Sequence, residues 1–175
     1  FAGGQIDTCA SITIKKKTAP GGGQGFQFTT TGSGLSGFSL NDGGQKTFEK
    51  VLPGSYTVTE TSPASPWIFD SVESCTATPG SSISQDAQNP AKLNITAKLG
   101  AQITCTYVNK RKPQITIVKD FEGTPTTVDL RLGTSVQKTV TGDDSVGPLT
   151  VDAGGPYSVN EGFTGNDGDL YTTTS

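Results

Sequence analysis

The chain has 175 residues, room for one large domain or two small ones, and a net charge of −3 that argues against nucleic acid as a partner. Gly (23) and Pro (10) are frequent and hydrophobic residues make up only 31%, a composition that disfavours long helices. There is no His and no Met: the commonest general base and metal ligand is missing, and conventional Ser-His or Cys-His catalysis with it.

Many short alternating segments separated by Gly, Pro, Asn and Asp predict an all-β chain. Residues 1–11 form a Gly-containing lead with Cys9, and Phe1 reads as a processed or trimmed end. Ile12-Thr13-Ile14-Lys15-Lys16 then alternates, with Ile12, Ile14 and Lys16 on one face. A Gly-rich loop, residues 21–25, leads to a strand at Phe26-Gln27-Phe28. That loop precedes a strand rather than a helix, so it is no phosphate cradle. Leu35, Phe38 and Leu40 follow, and Asn41-Asp42-Gly43-Gly44 is a turn signal.

The next strand, Gly54-Ser55-Tyr56-Thr57-Val58-Thr59-Glu60, puts Tyr56, Val58 and Glu60 on one face and three hydroxyl residues on the other. Its buried face therefore ends in a carboxylate. Trp67 and Phe69 are expected to cap the core, Cys75 sits in a strand near residues 72–78, and Leu93-Asn94-Ile95-Thr96 is a further strand. Residues 101–109 alternate through Ile103, Cys105, Tyr107 and Asn109 and close the first domain.

After a polar linker at residues 110–114 the pattern restarts. Ile115-Thr116-Ile117-Val118-Lys119 repeats the Ile12 to Lys16 strand, lysine included. Val128, Leu130 and Leu132 replace the Phe26/Phe28 strand, and Gly155-Pro156-Tyr157-Ser158-Val159-Asn160-Glu161 repeats the Glu60 strand. The reading is two tandem β-sandwiches, residues 12–109 and 115–175. The second is incomplete, because no counterpart of the Cys105 to Asn109 strand is present.

The run from Phe26 to Leu40 (FQFTTTGSGLSGFSL), with Leu52 to Glu60 (LPGSYTVTE), Cys105 to Asn109 (CTYVN) and Ile115 to Asp120 (ITIVKD), resembles bacterial surface-protein repeats of the CnaB/SpaA-like group. The resemblance implies an immunoglobulin-like, prealbumin-like β-sandwich of pilin and adhesin stalks, extracellular on a bacterial surface or in a secreted filament. It also implies a spontaneous Lys–Asn isopeptide bond assisted by the Glu of the Tyr-x-x-x-Glu strand. By position, the first domain supplies Lys16, Asn109 and the assisting Glu60, and the second supplies the counterparts Lys119 and Glu161 without an acceptor.

The chemistry is coherent without the resemblance. A lysine amine attacks a carboxamide only when neutral, and burial lowers its pKa while raising that of a glutamate. A protonated Glu60 is expected to polarise the Asn109 carbonyl and relay a proton to departing ammonia. The bland alternative places Lys16 and Glu60 at solvated strand ends and Asn109 in a turn.

Cys75 and Cys105 share a domain and are expected to form a disulfide, leaving Cys9 over. Three cysteines without a CxxC pair do not make a zinc site, and no cofactor, metal or external-substrate catalytic residue is expected. The acidic loops Asp143-Asp144 and Gly165-Asn166-Asp167-Gly168-Asp169 read as turns rather than Ca²⁺ sites, and Asn94-Ile95-Thr96 is a weak glycosylation match. No apolar run is long enough to enter a membrane.

The expected partners are other copies of the chain, head to tail, or a host or cell-surface ligand. The lead Gly4-Gln5-Ile6-Asp7-Thr8-Cys9 echoes Ala101-Gln102-Ile103-Thr104-Cys105, so one copy's lead would complete the next copy's second sandwich, with Asp7 facing Lys119. The plainer expectation is that further residues finish that sandwich. The functional reading is a non-enzymatic stalk, repeat or filament subunit. The runner-up is an adhesin module gripping a glycan or host protein through loops at residues 32–44 or Trp67.

Overall fold

A computed structural model describes residues 9–163. Among these every regular element is a strand: β1 (Ala10–Ala19), β2 (Phe26–Thr31), β3 (Phe38–Leu40), β4 (Gln45–Val51), β5 (Gly54–Glu60), β6 (Trp67–Ala77), β7 (Ser82–Gln85), β8 (Lys92–Ala97), β9 (Gln102–Arg111), β10 (Gln114–Lys119), β11 (Val128–Leu132), β12 (Ser135–Val140), β13 (Asp144–Thr150) and β14 (Val159–Phe163). The all-β expectation holds. The chain divides into two compact units between Arg111 and Lys112.

In the first unit a four-stranded sheet, ordered β4-β1-β9-β6, faces a five-stranded sheet, ordered β3-β2-β5-β8-β7. All pairings are antiparallel except β1 with β9, which run side by side in the same direction. The core comes from alternate residues of both sheets, among them Ile12, Ile14, Phe28, Val58, Leu93, Ile103 and Tyr107. Trp67 and Phe69 are partly buried against it, and the Trp67 ring meets Phe26 edge-on at 5.8 Å between centroids.

Gly32 turns the chain after β2 at φ +108°, where a Cβ would lie 2.2 Å from the Tyr56 ring. Lys110 and Arg111, read as linker, extend β9 instead by pairing with Ile68 and Trp67 of β6. Several strands escaped the sequence reading, β4, β7 and β12 among them. β4 and β12 carry Lys and Gln among few apolar residues, and β7 is a four-residue edge strand of mostly exposed Ser and Gln.

The second unit holds a β10-β13 pair and a three-stranded sheet ordered β12-β11-β14, around a small core of Ile117, Val128, Leu130 and Val140. Among the described residues β10 pairs with β13 alone, whereas its counterpart β1 is held on both sides. The lead at residues 4–8 and the acidic loop at residues 165–169 lie outside the described residues.

Candidate functional site

Three polar side chains meet inside the first unit. Lys16 comes from β1, Glu60 is the last residue of β5, and Asn109 lies near the end of β9. Strand alternation turns all three inward, where Lys16 is 2%, Glu60 3% and Asn109 0% exposed. The solvated-end alternative is thereby excluded for these residues. In the parallel ladder Lys16 stands opposite Tyr107 and Thr18 opposite Asn109. The lysine side chain therefore needs to reach only two register positions forward, well within its length.

Lys16 Nζ donates to Asn109 Oδ1 in a very short contact and lies 3.4 Å from Glu60 Oε2. Asn109 Nδ2 donates to Glu60 Oε1 at 2.7 Å. The Lys16 amine also rests 4.5 Å from the centroid of the Phe26 ring. Glu60 thus bridges the lysine nitrogen and the amide nitrogen of Asn109. Of the two roles expected of Glu60, polarising the Asn109 carbonyl and relaying a proton, this contact with the amide nitrogen suits the relay.

Burial shifts both titrations. It pulls the Lys16 amine below the ordinary lysine range, against the opposing attraction of Glu60 and a weaker one from Asp42. It pushes the Glu60 carboxyl up, against the pull of Lys16 and the Asn109 hydrogen bond. Although the spacing satisfies a salt bridge, both shifts favour the neutral amine and the protonated acid. That is the combination in which the amine is nucleophilic.

Tyr107 packs beside the triad and edge-on to Phe28, and its hydroxyl donates to the Val58 carbonyl at 2.9 Å. Burial raises its pKa, with the nearby Glu60 adding to the shift. Tyr107→Phe leaves the Val58 carbonyl without this donor. The expected cost is about 1–3 kcal/mol, read from urea unfolding.

Cys75 and Cys105 stand directly opposite each other in β6 and β9 and form a disulfide; Cys9 is not in that bond. The closed loop spans 30 positions and contributes about 3–4 kcal/mol in the chain-entropy description. In the second unit Lys119 Nζ lies 3.1 Å from Glu161 Oε1 and 4.5 Å from the Phe121 ring centroid. These counterparts meet as the first pair does, but their side chains are more open, at 19% and 27%. No three His, Cys, Asp or Glu side chains cluster as a metal set among the described residues, which also contain no helix long and apolar enough to cross a membrane.

A SpaA-type family model, described as a prealbumin-like fold domain, matches residues 12–111. No curated protein matches the chain. Among solved structures, one similar chain is a bacterial adhesin from Mobiluncus mulieris described as containing intramolecular disulfide, isopeptide and ester bond cross-links. It is 19% identical with a TM-score of 0.44, over 59% of this chain and 41% of the adhesin. The Bacillus anthracis TIE protein is 15% identical with a TM-score of 0.43, over 89% of this chain and 28% of its own. A streptococcal ancillary pilin is 12% identical with a TM-score of 0.38, over 89% and 50%. The chain spans half or less of the length of each.

Proposed function

The chain belongs to the SpaA-type prealbumin-like fold domain family, and from that premise we propose that it is a structural segment of a bacterial cell-surface protein, two tandem modules of a stalk, repeat array or pilus-like filament. The observation that carries this reading is the sealed Lys16–Glu60–Asn109 triad joining the first and last strands of one sandwich. Its chemistry is internal and occurs once. The neutral Lys16 amine attacks Asn109 Cγ, a proton passes from Nζ through Glu60 to Nδ2, ammonia leaves, and a Lys16–Asn109 amide remains. Glu60 ends as it began, and no external substrate is turned over.

The mechanical consequence follows from topology. β1 and β9 are parallel neighbours, so tension applied at the two ends of the sandwich shears them past each other. A covalent bond between Lys16 and Asn109 carries that load directly and shelters the chain between them. Lys119 and Glu161 supply the equivalent donor pair for a strand added beside β10. The partners on this reading are neighbouring modules, in the same protein or in another copy arranged head to tail.

The test is intact mass. The wild-type chain is expected to fall short of its sequence mass by one ammonia, about 17 Da, beyond the change due to the disulfide. The shortfall should map to a Lys16–Asn109 linked peptide and vanish in Glu60→Ala. A full mass in the wild type sinks the self-stapling reading.

One observation favours a second reading, an adhesive module. Trp67 and Pro63 line a cleft of about 430 Å³ that Asn89, Thr61 and Ser62 supply with hydrogen-bonding groups, a combination suited to one face of a sugar. Saturable glycan binding lost in Trp67→Ala would support it.

A further inference from the structure

The β1–β4 ladder stops one residue before the reactive lysine. Its last paired residues are Lys15 and Gln45, and beyond them β1 runs on towards the Gly-rich loop at residues 21–25. Across this gap the strand end is held by the β3–β4 turn. The backbone of Lys16 donates to Gly44 O and accepts from Gly43 N, each at 2.9 Å. One step further the turn has only a side chain to offer: Asp42 Oδ1 accepts from Thr18 N at 2.7 Å, and Oδ2 accepts from Gly22 N at 2.9 Å. The carboxylate acts as the next rung of the ladder and ties the loop down as well. These two amides hold its pKa below the usual carboxylate range.

The second unit repeats the device. Asp143, in the equivalent turn, accepts from Phe121 N at 2.8 Å, the amide two residues after Lys119, as Thr18 is two residues after Lys16. Both lysines sit 4.5 Å from a phenylalanine ring centroid. An ordinary turn aspartate caps its own turn. Here, in both repeats, the aspartate reaches across to the strand that bears the lysine, at the same distance along it.

We propose that Asp42 is the positioning residue of the cross-linking reaction, locking the end of β1 so that the Lys16 amine is held on the Asn109 amide. Asp143 does the same for Lys119. The inference rests on the isopeptide reading above. Its logic is geometric: attack on Cγ requires contact at van der Waals range, and a shift of about 1 Å costs on the order of a hundredfold in rate. Electrostatics cannot be the reason for the aspartate. Glu60 from β5 and Asp42 from the turn are the charged groups facing Lys16, and the Asp42 charge favours the unreactive ammonium.

The experiment follows ammonia loss by intact mass at timed intervals after cell-free synthesis of the full chain, across a range of pH, with Lys16→Ala as the unreactive control. Asp42→Ala is expected to slow cross-linking about tenfold or more at every pH while the Cys75–Cys105 disulfide still forms. Asp42→Asn keeps one acceptor and loses the charge. It should recover part of the rate and begin to react at lower pH than the wild type, because the amine sheds its proton more readily. If Asp42→Ala fails to form the disulfide, Asp42→Asn carries the test alone through that pH shift and its partial slowing. Cross-linking of both variants at the wild-type rate overturns the positioning role and leaves the isopeptide reading intact. A wild-type chain that never loses ammonia overturns both.

Discussion

Pulled from its two ends in a single-molecule force experiment, the first unit of the wild-type chain will not lengthen by unfolding, whereas the Glu60→Ala chain will. The proposed Lys16–Asn109 bond would close 93 positions of chain. At roughly 3.3–3.6 Å per extended residue, its absence releases on the order of 300 Å. The disulfide lies wholly inside that span and locks 30 positions of it. The oxidised variant should therefore give roughly 200 Å, and the remaining roughly 100 Å should appear only after reduction. In the wild type reduction should change nothing under load, because the disulfide sits in the sheltered stretch. A wild-type extension equal to that of Glu60→Ala would refute the load-bearing role.

The second large effect is thermodynamic. A chain without the proposed bond has a 93-position loop free, which the chain-entropy description values at about 4–5 kcal/mol. Glu60→Ala does more than abolish the bond, since it strands the Lys16 amine in the core without its partner. A buried charge left alone costs about 3–5 kcal/mol, less whatever the amine recovers by releasing its proton. The comparison that separates the two terms is Lys16→Met with Glu60→Gln. That chain also lacks the bond, but it buries no ion and keeps an acceptor for Asn109 Nδ2.

In urea unfolding near neutral pH the order of stability should be wild type, then the double variant, then Glu60→Ala. The pH dependence has a definite sign. In Glu60→Ala the folded Lys16 pKa is depressed by burial and no longer lifted by Glu60, so the unfolded chain binds the extra proton. The penalty is full at and below the depressed folded pKa and is relieved as pH rises towards the ordinary lysine value of 10.5. The gap to the double variant should therefore narrow with rising pH. A gap that stays constant would mean that the amine is not buried unpaired.

The alternation of β1, β5 and β9 was enough to place Lys16, Glu60 and Asn109 on apolar faces, and the recurrence of Ile-x-Ile-x-Lys and Tyr-x-x-x-Glu was enough to show a repeat. The all-β class and the Cys75–Cys105 pairing were legible for the same kind of reason, since each follows from residue type and period. β7 and β12 were not legible, because edge strands with little buried surface carry no apolar period to read.

What only the tertiary structure decided is the pairing between distant segments. Period-2 patterning says which way a side chain points but not which strand lies beside it. The parallel contact of β1 with β9 brings Lys16 to a residue 93 positions away, and nothing local to either strand encodes it. The same limit hid the orientation of Glu60 towards Asn109 Nδ2, which depends on how two sheets stack. It also hid the reach of Asp42 to Thr18 and Gly22: in the sequence Asn41-Asp42-Gly43-Gly44 is only a turn, and its carboxylate finds those amides because the fold carries the end of β1 past it.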